Sequence, residues 1–150
     1  MARRTRRRRK PRFQRQTKPG ASPGTIKVPA DAPGPKIRVI AHSPDEIVEA
    51  QIEGVDPLGR FLDKYPVTWI NVDGLGDAAT LRALGKWFDL HPLALEDVVH
   101  VHQRAKVEPF EKHLFLVARM VCSTRIVDSE QLSLFLGPNY VLTFQEREGD

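Results

Sequence analysis

Residues 113–121 read HLFLVARMV, a nearly unbroken apolar run that stops after strand length. It is too short to span a bilayer, which takes about 20 apolar residues as a helix, and it has the pattern of a strand buried on both faces. Such a strand needs covering layers, so the chain must also supply helices with apolar stripes. The rest of the sequence offers both kinds of element. Val67–Asp73 (VTWINVD) alternates, with Val67, Trp69 and Asn71 on one face and Thr68, Ile70 and Val72 on the other. Lys36–His42 and Glu46–Glu53 read as two earlier strands joined through Ser43-Pro44-Asp45. Gln131–Leu136 and Tyr140–Gln145 read as a hairpin around Gly137-Pro138-Asn139.

Helices are predicted between these strands. A brief one covers Val55–Asp63. A second runs from Ala78 to Phe88, capped by Asp77, with Leu81, Leu84 and Phe88 as its buried stripe. A third starts at His91-Pro92, where the missing proline N–H costs nothing, and places Leu95, Val98, Val99 and His102 on one face. Strands interleaved with helices predict an α/β domain with a mixed β-sheet flanked by helices.

The net charge of +4 conceals two unlike parts. Residues 1–18 carry ten Lys or Arg and no acid, whereas residues 19–150 carry thirteen basic and nineteen acidic residues. Residues 19–35 hold five prolines and three glycines. Residues 1–35 therefore read as a disordered basic tail and a Pro/Gly linker, and residues 36–150 as the folded domain. The tail could meet phosphate on nucleic acid or on an anionic lipid surface. No secretory signal or membrane span is visible, so a cytosolic fold is expected. The single cysteine, Cys122, excludes an internal disulfide and reads as a buried inert thiol.

Motifs for phosphate-loop, dinucleotide, zinc-peptidase and serine-hydrolase chemistry are absent, and no nucleophile–base set is visible, so the chain is not expected to be an enzyme. His91, His100, His102 and His113 read as capping and core-edge residues rather than transition-metal ligands. His100 and His102 would point about 200° apart on a helix and could converge only if the helix ended near Val99. Glu96 and Asp97 are hard oxygen donors suited to Mg²⁺ or Ca²⁺. As helical neighbours they diverge by about 100°, so a cation there would need ligands from another segment or subunit. From spacing alone, a solvated face or a pairing with Arg104 or Lys106 is the stronger reading.

The runs Thr68-Trp69-Ile70-Asn71, Leu84-Gly85 with Phe88, His91 to Asp97 (HPLALED), Val101 to Arg104 (VHQR), Lys106-Val107-Glu108 with Phe110, Ser129 to Leu134 (SEQLSL) and Tyr140 to Glu146 (YVLTFQE) resemble, in order, the N-terminal cytoplasmic domain of CorA-type magnesium and cobalt transport proteins. The resemblance covers about Lys36–Asp150 and departs at Ala105, where the family commonly has proline. It implies a funnel-type α/β/α domain of a homopentameric inner-membrane channel, on the cytoplasmic side, whose pore is held closed by Mg²⁺ bound between neighbouring subunits. It further implies that Asp97 is a ligand of that intersubunit site and that Glu96 belongs to a second, weaker one, with Mg²⁺ or Co²⁺ as the transported ion. The family's membrane spans and Gly-Met-Asn selectivity signature lie outside these residues, so this stretch alone is not expected to conduct ions. A free-standing soluble modulator or vestigial domain, and a nucleic-acid or anionic-lipid binder acting through the tail, are the alternatives.

Overall fold

A computed structural model describes residues 22–28, 32–122 and 128–148, with the side chains of Cys122 and Asp128 excepted. The basic tail and the Cys122 thiol, both assigned roles above, lie outside the described residues. Seven strands form one sheet: β1 (Lys36–His42), β2 (Ile47–Ile52), β3 (Val67–Asp73), β4 (Lys106–Pro109), β5 (Leu114–Cys122), β6 (Asp128–Leu136) and β7 (Tyr140–Gln145). Their spatial order is β2-β1-β3-β7-β6-β5-β4. Only β3 and β7 pair in parallel, so the sheet is mixed, as expected. The chain leaves β3, forms α2 (Ala78–Trp87) and α3 (Pro92–Val99), builds the far edge β4–β5–β6, and returns beside β3. The short α1 (Gly59–Leu62), with a 3-10 turn before it, follows β2.

The face beneath the helices is the core. Val39, Ile70, Val72, Leu142, Phe144, Phe135 and Phe115 are buried there with Leu58, Leu81, Leu84, Ala94, Leu95 and Val98 from the helical segments. Each such large apolar side chain stabilises the fold by roughly 1.5–3 kcal/mol on burial. Asp77 starts α2 by accepting hydrogen bonds from the N–H groups of Ala79 and Thr80 at 2.9 and 3.1 Å and from the Thr80 hydroxyl at 2.6 Å. Helix α2 then presents Gly85, which has no side chain, directly to Leu95 of α3. That close approach lets the two helices lie side by side over the sheet.

The opposite face differs from expectation. The apolar run 113–121 does not form a strand buried on both sides: Phe115 and Val117 are buried, but Leu114 is 39% and Val121 68% exposed. Register explains it. Val107, Leu116 and Leu134 share the open face, as do Leu114, Leu136, Val141 and Trp69 in the neighbouring row, and all the described helices contribute to the other face. On the open face Trp69 Nε1 donates to Thr143 Oγ1 at 2.9 Å and the Thr143 hydroxyl donates to Asn71 at 2.6 Å, binding β3 to β7.

Part of the Pro/Gly-rich segment packs on the domain. Ile26 is buried in the core, Arg82 donates to its carbonyl at 3.5 Å, and the Gly76 N–H donates to the Pro33 carbonyl at 2.8 Å.

Asp77→Ala is expected to lower stability at pH 7 by ~1 kcal/mol in urea denaturation, the usual worth of an N-cap. The hydrogen bond from the Thr80 hydroxyl, then those from the Ala79 and Thr80 N–H groups, holds the Asp77 carboxyl below its ordinary value of 3.8. Its contribution is therefore complete above that pH and is lost as the pH falls through the lower folded-state value, so the difference between wild type and variant should shrink in acid.

Candidate functional site

The carboxylate pair sits where α3 ends. His91 caps the helix, its Nδ1 accepting from the Leu93 N–H at 3.2 Å, and Pro92 occupies the first turn. Leu95, Val98 and Val99 face the core. Glu96 and Asp97 emerge half-buried beside one another and point to different partners, as the helical twist requires.

Asp97 meets the far edge of the sheet. Its Oδ2 accepts from the Lys106 ammonium at 2.6 Å, and the same ammonium donates to Glu108 at 2.9 Å. Lys106 and Glu108 are alternate residues of β4 and both turn toward α3, leaving Val107 on the other face with 62% exposure. The Lys106 ammonium lies 5.4 Å from the centroid of the buried Phe115 ring. Burial alone would pull its pKa down, but hydrogen bonds to Asp97 and Glu108 outweigh that and hold it above the usual lysine value, so it stays charged. The main chain at Asp97 is fixed separately. Gln131, buried on β6, donates to the Asp97 carbonyl at 2.9 Å and to Ser133 Oγ at 3.0 Å, while its Oε1 accepts from the Gln103 N–H at 2.9 Å.

Glu96 faces the N-terminal segment. Its Oε2 accepts from the Gly24 N–H at 2.7 Å, and its Oε1 lies 3.8 Å from His100 Nδ1. Gly24 has φ +78°, and a Cβ there would fall 2.7 Å from Pro92 Cβ, so this approach requires glycine.

The histidines do not gather. Helix α3 does end at Val99, which removes the helical bar to convergence of His100 and His102, yet among the described residues no three His, Cys, Asp or Glu side chains are grouped to hold a metal ion. His91 stacks on Phe110 at 5.3 Å, Phe110 on His113 at 5.4 Å, and His113 meets the edge of Phe135 at 5.3 Å. His113 is buried with neither ring nitrogen hydrogen-bonded. The sequence singles out Asp97 and Glu96 and offers Lys106 as a partner, but does not announce the contacts of Gln131, Glu108 and Gly24 with them. An amide at an inward-facing strand position was the available signal for Gln131.

The donor chemistry suits a hard cation: two half-buried carboxylates on a helix packed against the sheet, with too few ligands among the described residues to complete coordination. Among the described residues no helix is long and apolar enough to cross a membrane.

A family model described as "CorA-like Mg2+ transporter protein" matches residues 66–149. The chain is 40% identical over 118 residues to the cobalt/magnesium transport protein CorA of Thermotoga maritima, covering 77% of this chain and 34% of that protein. It is 31% identical over 93 residues to the putative metal ion transporter YfjQ of Bacillus subtilis, covering 61% of this chain and 28% of that one. Its fold is similar to the soluble domain of CorA from Methanocaldococcus jannaschii (TM-score 0.57, 16% identity, 75% of this chain and 41% of that one). The complete CorA magnesium transporter of that organism gives TM-score 0.56 at 17% identity, over 75% of this chain and 32% of that one. The chain thus spans about a third of the length of the curated relatives it matches.

Burial holds the His113 imidazole below its ordinary value of 6.5, slightly opposed by the Asp89 charge. A depressed folded-state value means that the unfolded chain binds the proton first on acidification. Stability from neutral His113 is complete above about pH 6.5 and falls as the pH drops through the folded-state value. Urea denaturation between pH 7.5 and 5 should show this loss in the wild type, and His113→Phe should flatten it.

Proposed function

The chain belongs to the CorA-like Mg2+ transporter family, and on that premise we propose that residues 36–150 are the cytosolic Mg²⁺-sensing part of a Mg²⁺/Co²⁺ channel. The channel is a homopentamer of the inner membrane. Asp97 is the intersubunit ligand that favours the closed pore, Glu96 serves a weaker second site, and the role is regulatory rather than catalytic. The observation that carries this reading is the setting of Asp97: a half-buried carboxylate on a helix terminus, aimed at a cation, its backbone held by Gln131 from the sheet.

Two half-buried carboxylates from adjacent subunits, brought to about 4 Å, repel by ~4 kcal/mol at an effective dielectric of 20. A bound divalent ion supplies the opposite charge and turns that repulsion into attraction. The chain's own residues do the rest. Gln131 fixes where Asp97 emerges, and Gly85 lets α3 seat against α2, so the carboxylate keeps one position on the subunit surface. Glu96 is the second arm: its Oε2 accepts from the Gly24 N–H at 2.7 Å and its Oε1 lies 3.8 Å from His100 Nδ1. An ion that binds the closed arrangement more tightly than the open one shifts the population toward closure as its concentration rises.

In an assembled transporter carrying these residues, Asp97→Ala should raise the Mg²⁺ concentration needed for closure and for protease protection of the cytosolic domain by about tenfold or more. Protease resistance followed across a Mg²⁺ titration measures this. A midpoint unchanged from wild type removes Asp97 from the sensing role.

A further inference from the structure

Asp97 already holds a cation, and that cation belongs to the chain. The Lys106 ammonium bonds Asp97 at 2.6 Å and Glu108 at 2.9 Å, with its side chain 27% exposed. Two carboxylates from different elements, α3 and β4, thus share one ammonium and leave the group with a single net negative charge. Lysine is a compact charge on a flexible four-carbon stem, so it can leave these oxygens without moving the backbone. The ammonium lies 5.4 Å from the centroid of the buried Phe115 ring, and the long aliphatic stem lets the charged end swing to water.

We propose that Lys106 is a tethered competitor for the cation site at Asp97: a divalent ion gains Asp97 only by displacing this ammonium, and that exchange sets the concentration at which the site fills. The inference rests on the reading of Asp97 as a cation ligand and adds what tunes it. An attached competitor acts at an effective concentration on the order of millimolar, so it weakens occupancy by an external ion without any change in the ligands. A divalent ion offers two charges against one and can win when abundant, which gives a threshold instead of permanent occupancy. Glu108 belongs to the device, because it offers the ammonium a second anchor and loses that bond on exchange.

A purely structural ion pair tying β4 to α3 would affect stability but would not set a metal-binding midpoint. The test is a Mn²⁺ titration of the assembled, ¹⁵N-labelled protein that carries these residues, following paramagnetic broadening of the amides around residues 96–98 and 106–108. Lys106→Met keeps the apolar stem and removes the charge, and the rest of the spectrum reports whether the variant is folded. It is expected to bring the half-broadening concentration down about tenfold, whereas Lys106→Arg keeps it near the wild-type value. Asp97→Asn in the Lys106→Met background should reverse the gain. If Asp97→Asn weakens Mn²⁺ binding but Lys106→Met leaves the midpoint in place, the competitor role is overturned while the Asp97 reading stands. If Asp97→Asn has no effect on the broadening in either background, the Asp97 reading fails and the competitor role falls with it.

Discussion

The contact of Gly85 with Leu95 decides where the carboxylates go. A Cβ at residue 85 would press on Leu95 Cδ1, and the buried Leu95 side chain would have to shift, so glycine gives α3 its close seat beside α2 on the core face. Seated there, α3 buries Ala94, Leu95, Val98 and Val99, and the two remaining positions of its last turns, Glu96 and Asp97, are forced outward in directions about 100° apart. One meets Gly24 of the N-terminal segment, the other meets Lys106 at the sheet edge. The buried amide of Gln131 then fixes the exit of the helix through the Asp97 carbonyl. The carboxylates are thus placed by packing and by a neutral hydrogen bond, neither of which depends on the charge they carry.

Much of this was legible before the coordinates. Wherever burial is one-sided and the turn chemistry local, pattern sufficed: β3 alternates in the expected sense, Asp77 caps α2, His91-Pro92 starts α3, and the hairpin turns at Gly137-Pro138-Asn139. Strand β4 was not legible, because its alternation is inverted. Lys106 and Glu108 turn inward and Val107 faces out, since the inward positions are satisfied by Asp97 and by each other instead of by apolar burial. The run 113–121 misled for the opposite reason: hydrophobicity on both faces predicts two covering layers, whereas the described helices supply one. Ile26 lay hidden in proline- and glycine-rich sequence, where a lone apolar residue has no period to betray its burial.

The site was legible in part. Adjacent carboxylates on a short helix indicated hard-cation chemistry and an incomplete ligand set; among the described residues no group of three His, Cys, Asp or Glu side chains is gathered. Spacing alone favoured a solvated face or an ion pair, and the family resemblance favoured a metal ligand at Asp97. The geometry supplies the ion pair: the Lys106 ammonium lies 2.6 Å from Asp97 Oδ2, and its hydrogen bonds to Asp97 and Glu108 hold its pKa above the usual lysine value.

The most direct measurement of that account is a crystal of the assembled protein soaked with Co²⁺, with the ion located by its anomalous scattering. The account predicts a peak within about 2.1 Å of an Asp97 carboxylate oxygen, the distance of a small hard cation, with the Lys106 ammonium withdrawn from that oxygen. A peak elsewhere, with the Asp97–Lys106 pair intact at every subunit, would contradict it.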